Sequence, residues 1–292
     1  MGVIVLPIAV GIDGSEASLR AVEWAADEAA LRGARLRLVE ASLWERLEGD
    51  LLPGHPDAPY ERMRVERNAA VAERRALERR PDVRVTSAVF AEAPQPVLVR
   101  ESRTATAVVL GCRDSHGVDR AFLGSVGLGV AGHARCPVIV LRGGDGSPPA
   151  VPGRIGVGVG GRAGESAAAR FALEEATLRG ASLRIVRARG RNPLKTAAER
   201  TLSAEALEEA GRGKADASVA DVLRDIPPGL AVDRRTMEGH AREVLLAVSR
   251  EVNLIVVGDR RRGEHPGVRL NSVAHALLLH ASCPVAVVPE HM

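Results

Sequence analysis

The segment GCRDSHGVDRAFLGSV, residues 111–126, has the parts of a phosphate cradle. Gly111 opens it after the apolar run AVVL, and Gly124-Ser125-Val126 closes it. Glycines let a backbone turn its amides toward an anion, and a helix starting here would aim its free N–H groups at the same place. Ser125 adds a hydroxyl donor. The plainer reading has Gly124 turning the chain and Ser125 capping the helix. Asp114 stands between the two ends of the loop. A carboxylate about 5 Å from a phosphate charge costs roughly 3 kcal/mol at an effective dielectric near 20. That is about a hundredfold in affinity, before Arg113, Arg120 or a bound Mg²⁺ offsets it.

Other chemistries have weaker marks. Cys112, Cys136 and Cys283 cannot pair completely and lack metal-ligand spacing, which favours a reducing compartment. Cys136 and Cys283 each precede a proline and read as buried small residues. Cys112 sits in the candidate loop, where redox sensing is the alternative to burial. His133 and His280 fall at helix ends, where a cation meets the C-terminal dipole. Without an acid/base pair, a metal cluster or a nucleophile elbow in the sequence, no catalytic residue and no metal ligand is assigned.

The elements that must hold the loop come twice. Gly111 and Gly258 each follow an apolar strand and lie 147 positions apart. The same offset relates Ser125 to Ser272, His133 to His280, Cys136-Pro137 to Cys283-Pro284, Gly33 to Gly180 and Val97-Leu98 to Val244-Leu245. One constant offset across so many positions marks a tandem duplication. The seam falls in GGDGSPPAVPG, residues 143–153, giving domains 1–146 and 147–292. In the first copy the strands read LPIAVGI, ARLRLVEA, DVRVTSAVF, TAVVLG and CPVIVLR, with helical stretches between them. The first helix starts after Ser15, a plausible N-cap, and stops at Gly33, with Leu19, Val22, Ala26 and Ala29 at helical spacing. PYERMRVERNAAVAERRALERR reads as a second, strongly charged helix. Strands alternating with helices at this spacing predict a parallel, doubly wound sheet whose ligands bind beyond the C-terminal strand ends. Those ends are Asp13, Ala41 and Gly111.

Composition agrees. Apolar residues make up 46% of the 292 and aromatics only 2%, so Val, Leu, Ile and Ala must build the cores. A net charge of +3, with 40 basic against 37 acidic residues, is a mixed surface and not a polyanion-binding one. Nucleic acid is therefore not an expected partner. Neither a signal peptide nor an apolar stretch of transmembrane length is read, so no membrane is expected and the cytoplasm is the expected location.

VGIDGSEAS, VVLG and LGSVGLGVAGHARCPVIVLR together resemble the universal stress protein family, and VGVGGRAGES, IVVG and NSVAHALLLHASCPVAVVP repeat the pattern. The resemblance covers essentially the whole chain. It implies two tandem Rossmann-like α/β sandwiches, each a five-stranded parallel sheet of order 3-2-1-4-5, paired through their last strands as a pseudo-dimer, and leaves open association of two chains. It implies a stress-response protein that binds ATP or another adenine nucleotide, with or without Mg²⁺, in the first domain if in either, and turns it over little. Asp13 matches the aspartate that meets adenosine, Ala41 the strand end whose backbone faces adenine, and Gly111, Gly124, Ser125 and Val126 the phosphate loop. Asp114 stands where the family has a second glycine. In the second copy Gly160 replaces the aspartate, Arg261 the second glycine and Asn271 the third, while Gly258 and Ser272 remain. Its Arg260, Arg261, Arg262 and Arg269 would attract anions to the start of a helix at Asn271, Ser272 and Val273, unless they pair with Asp259 and Glu264. The alternative function is a nucleotide-free scaffold or regulatory interaction protein; a third reading, an ATP-hydrolysing or nucleotidyl-transferring enzyme, has fold alone behind it.

Overall fold

A computed structural model of the chain describes residues 5–43, 58–114, 121–122, 124–142, 153–160, 165–189, 224–259 and 270–290. It divides into two compact units, Met1–Gly146 and Ser147–Met292.

The first unit runs β1 (Ile8–Ile12), α1 (Glu16–Arg32), β2 (Leu36–Ala41), α2 (Ala58–Arg79), β3 (Val85–Phe90), α3 (Pro94–Glu101), β4 (Ala107–Gly111), β5 (Arg113–Asp114), β6 (Ala121–Phe122), α4 (Ser125–His133) and β7 (Val138–Leu141). Five strands form a parallel sheet in the order β3-β2-β1-β4-β7. Its inner strands are apolar because both faces are covered: Ile8, Ala9 and Val10 of β1 and Ala107, Val108 and Val109 of β4 are fully buried. Helix α1 packs on α2, and α3 packs on α4.

Helix α1 begins where its sequence signals it. The Ser15 hydroxyl accepts from the Ser18 amide at 3.2 Å. Gly33 ends the helix in the left-handed region at φ +60°. The buried stripe is mostly alanine (Ala17, Ala21, Ala25, Ala26, Ala29) with Val22, while Leu19 is only half-buried. Small side chains let the helix lie close on the sheet. The charged face of α2 meets α1 through Arg75 with Glu16 and Glu23, and through Arg79 and Arg80 with Asp27. Burial alone would raise the Asp27 carboxyl, but Arg79 and Arg80 outweigh it and hold the group below its ordinary range. Such half-exposed pairs set the fit of the two helices more than their stability.

The second unit runs β8 (Arg154–Val159), α5 (Glu165–Leu178), β9 (Ser182–Arg189), β10 (Val232–Glu238), α6 (Ala241–Val248), β11 (Leu254–Asp259), α7 (Ser272–His280) and β12 (Val285–Pro289). Its parallel order is β10-β9-β8-β11-β12. The duplication reaches strand register: Ile8 faces Leu36 and Ala107, and 147 positions on Ile155 faces Leu183 and Leu254. It also reaches buried polar contacts. Arg32 pairs with buried Glu28, as Arg179 does with buried Glu175. The Ser102 hydroxyl accepts from the Arg135 amide at 2.9 Å and the Ser249 hydroxyl from the Ser282 amide at 3.0 Å.

One short element departs from the expected five strands. Arg113 and Asp114 pair antiparallel with Phe122 and Ala121, making a two-residue ribbon in the loop after β4. Asp114 thus lies in strand backbone and not in the left-handed turn that a second glycine would suggest.

Gly33 and Gly180 share the left-handed conformation, φ +60° and +59°, in open space. Gly33→Ala and Gly180→Ala should each lower stability by about 1 kcal/mol through backbone strain alone. Urea unfolding checks this, and an unchanged midpoint for either would contradict it.

Candidate functional site

In the first unit the chain leaves β1 toward β2 on one side and returns through β4 on the other, so β1 and β4 flank a topological switch point. Register brings the strand ends level. Ile12 faces Glu40, and Val10 faces Val109 two residues before Gly111. Asp13, Ala41 and Gly111 therefore share one rim of the sheet. The exposed Asp13 carboxylate accepts from the Ser15 amide at 3.0 Å and from the Ser15 hydroxyl at 2.5 Å. Such an Asx turn aims the carboxylate and the start of α1 together. Gly14, at φ +75°, leaves room for the Asn68 amide, which a side chain there would strike. Gly111 is needed for close approach: a β-carbon would collide with the Ala17 carbonyl in the first turn of α1.

Helix α4 opens toward this rim with Gly124 as its N-cap and Ser125 as its first helical residue. Ser125 therefore does not cap the helix as the plainer sequence reading had it. Gly124 has φ −59° and ψ 167°, a conformation open to any residue, so its backbone does not require glycine. Among the described residues nothing lies within 4 Å of where a β-carbon would stand, so packing does not require glycine either and the place is open. No side chain caps the first-turn amides of α4 among the described residues.

The second unit has the same frame and the opposite outcome. Gly160 is exposed after β8, and Gly258 lies in β11. At the start of α7 the Asn271 side-chain oxygen accepts from the Val273 and Ala274 amides at 3.0 and 2.8 Å. Its Nδ2 donates to the Gly258 carbonyl at 2.8 Å, and its own backbone N–H donates to Asp259 Oδ1 at 2.9 Å. Asp259 is only 2% exposed. The amides of Asn271, Val273 and Ala274 are thus already taken by the protein. Arg260, Arg261, Arg262, Glu264 and Arg269 lie outside the described residues, and with them both the expected attraction of anions by the arginines and its alternative, their pairing with Asp259 and Glu264.

The universal stress protein family model matches residues 6–142 and again 153–289. The chain belongs to the universal stress protein family. A tandem relative, a universal stress protein of Mycobacterium tuberculosis, is 30% identical over 301 residues, covering 98% of this chain and 97% of that one. A universal stress protein of Mycobacterium bovis is 29% identical over 97% of this chain and 94% of its own length. The crystal structure of a universal stress protein from Archaeoglobus fulgidus superposes with a TM-score of 0.69 at 16% identity, over 97% of this chain and 98% of that one. At that identity it speaks for the fold alone. Another solved universal stress protein from Archaeoglobus fulgidus is in complex with dAMP; its likeness spans 47% of this chain and 98% of that one, at 23% identity and a TM-score of 0.36.

In this universal stress protein the three cysteine thiols are buried. Cys112 is 1% exposed, which removes the redox-sensing alternative. Burial pushes the Cys136 thiol up to about 12, far from a reactive thiolate. His133 Nδ1 sits 2.7 Å from the Gly129 carbonyl one turn back, as a helix-end histidine should. No group of three His, Cys, Asp or Glu side chains among the described residues is placed to hold a metal ion. No described helix is long and apolar enough to cross a membrane. A cavity of about 480 Å³ lined by Val5, Ala29, Gly33 and Val83 lies at the opposite strand ends, away from Asp13.

Sequence reasoning missed Glu40. Alternation in LRLVEA puts it on the inner face of β2 with Leu36 and Leu38, which was the available signal. It is 3% exposed; Oε1 accepts from Asn68 Nδ2 at 2.9 Å, and Oε2 has no hydrogen-bond partner among the described residues. Burial raises this carboxyl to about 7, with Asp13 adding to the rise and Asn68 and Arg64 opposing it. Asn68 also packs on Gly14, so Glu40 lies directly behind the Asp13 turn.

The sign of the linkage follows. Between about 4.5 and 7 the folded chain binds this proton more tightly than the unfolded chain. Ionisation of Glu40 therefore costs nothing below that window and destabilises the fold above it, by about 3 kcal/mol for a rise of this size. Glu40→Gln should raise stability at pH 8 and change it little at pH 4.5. Thermal unfolding at the two pH values checks this; an equal effect at both would contradict it.

Proposed function

We propose that the first unit is the ligand-binding half of a stress-response protein and takes ATP, or another adenine nucleotide, across the C-terminal ends of β1, β2 and β4. The observation that carries this reading is the contrast between helix starts: α4 has no side-chain cap and open space at Gly124, whereas α7 is closed from within. The amides at Ser125 and Val126, with the Ser125 hydroxyl, receive phosphate oxygens, and the positive end of the α4 dipole favours their charge. Gly111 lets the loop pass close to α1. The Asp13 carboxylate, oriented by Ser15, meets the ribose hydroxyls, and the Ala41 backbone borders the base. Mg²⁺ enters with the nucleotide as counter-ion to its phosphates.

ATP is here a bound ligand, not an efficiently turned-over substrate. Two carboxylates at the rim have structural tasks: Asp13 steadies the start of α1, and Glu40 is buried against Asn68. A general base must instead reach the proton it removes. The reading as a nucleotide-free scaffold draws on the same Asp13 contact, because the two Ser15 hydrogen bonds give that carboxylate a structural task without any ligand.

Calorimetric titration of the full chain with ATP, with and without Mg²⁺, separates the two. Asp13→Ala should weaken ATP binding at least about tenfold through loss of a charge-assisted hydrogen bond. Asp114→Gly should strengthen it, by up to about a hundredfold if the carboxylate stands near the phosphates. ATP heats absent from the unaltered chain and from Asp114→Gly alike would favour the scaffold.

A further inference from the structure

We infer that Asp259 is a built-in anion: together with the Asn271 side chain it occupies the donors at the start of α7 and closes the second unit to phosphate. This rests on the reading above only in taking phosphate as the anion that such a helix start would otherwise receive.

The geometry is that of an anion seated on a helix. A carboxylate oxygen lies 2.9 Å from the N-cap amide, and the side-chain oxygen of Asn271 lies 3.0 and 2.8 Å from the next two capped amides. These are the donors a phosphate uses at a helix N-terminus, at the distances of charge-assisted and ordinary hydrogen bonds. The plug is held from both sides. Asp259 is the last residue of β11 and is fixed by pairing with Pro289. Asn271 is tied back to the strand through the Gly258 carbonyl. Asp259 is buried, so an incoming anion would have to displace a carboxylate with little room beside it, against like-charge repulsion.

Both halves of the plug are missing from the first unit. At the offset of 147, Asp259 corresponds to Cys112 and Asn271 to Gly124. Cys112 carries no charge that could stand in for an anion, and Gly124 has no side chain. The two positions lie at the two sides of one loop and both differ between the copies, so two exchanges of residue type separate a helix start that is open from one that is closed. Asn271 is thus more than a lost glycine: it is a cap that fills the place of the ligand. Asp259 and Asn271 are the residues that decide which unit takes phosphate.

The test uses the full chain and inorganic phosphate, read through the backbone amide NMR shifts of residues 272–274 and of residues 125–126. In the unaltered chain, millimolar phosphate should leave the 272–274 amides unmoved. In D259C/N271G, which copies the first unit's residues, the same amides should shift saturably, with affinity raised at least about tenfold. If that variant loses the dispersed signals of the second unit, D259N/N271G, which keeps the size of the strand residue, should show the same gain. Saturable shifts at 272–274 in the unaltered chain would overturn the inference, as would folded variants that gain none. Shifts at 125–126 report the first unit separately. Silence there, with a gain at 272–274, would count against the nucleotide reading and leave the plug standing.

Discussion

The first amides of an α-helix have no partner within the helix, and something outside it must satisfy them. The two halves of this chain share sheet order, strand register and buried polar contacts, yet they meet that need differently. In one, a glycine precedes α4 and no described side chain reaches the free N–H groups. In the other, a buried aspartate and an asparagine side chain engage the amides of Asn271, Val273 and Ala274. The frame is one design made twice; the difference in its use comes down to who supplies the acceptors.

Around the open end, polar groups of the first unit form a short relay from the rim into the interior. Asp13 holds Ser15, Gly14 makes room for Asn68, and Asn68 donates to Glu40. Each link is local, and its outermost member is the carboxylate that would meet a nucleoside. The innermost is a buried acid whose burial raises it to about 7. A charge at Glu40 and a charge at Asp13 oppose one another, so protonation deep in the unit and the carboxylate at its surface are coupled by position.

Most of the architecture was legible in the residues. A constant offset of 147 foretold the paired registers, and Ser15 and Gly33 marked both ends of α1 because capping depends on residues next to one another. What escaped has a common cause. The β5–β6 ribbon is two residues long on each side and has no periodicity to read. Glu40 finds its partner 28 positions away, and Asp259 finds its own 12 positions away across a loop. Such pairs are set by tertiary approach, and residue type alone left Asn271 looking like a defect. Even the burial of Cys112, whose amide donates to the Leu141 carbonyl at 2.8 Å, depends on a strand that arrives later in the chain.

The central claim is that one unit is open to a nucleotide and the other is closed by its own side chains. The number of ATP molecules bound per chain at saturation, measured by equilibrium dialysis of the full-length protein with Mg²⁺, tests it most directly. The account predicts one. A value of two would contradict the closure of the second unit by Asp259 and Asn271, and a value of zero would contradict the open site in the first.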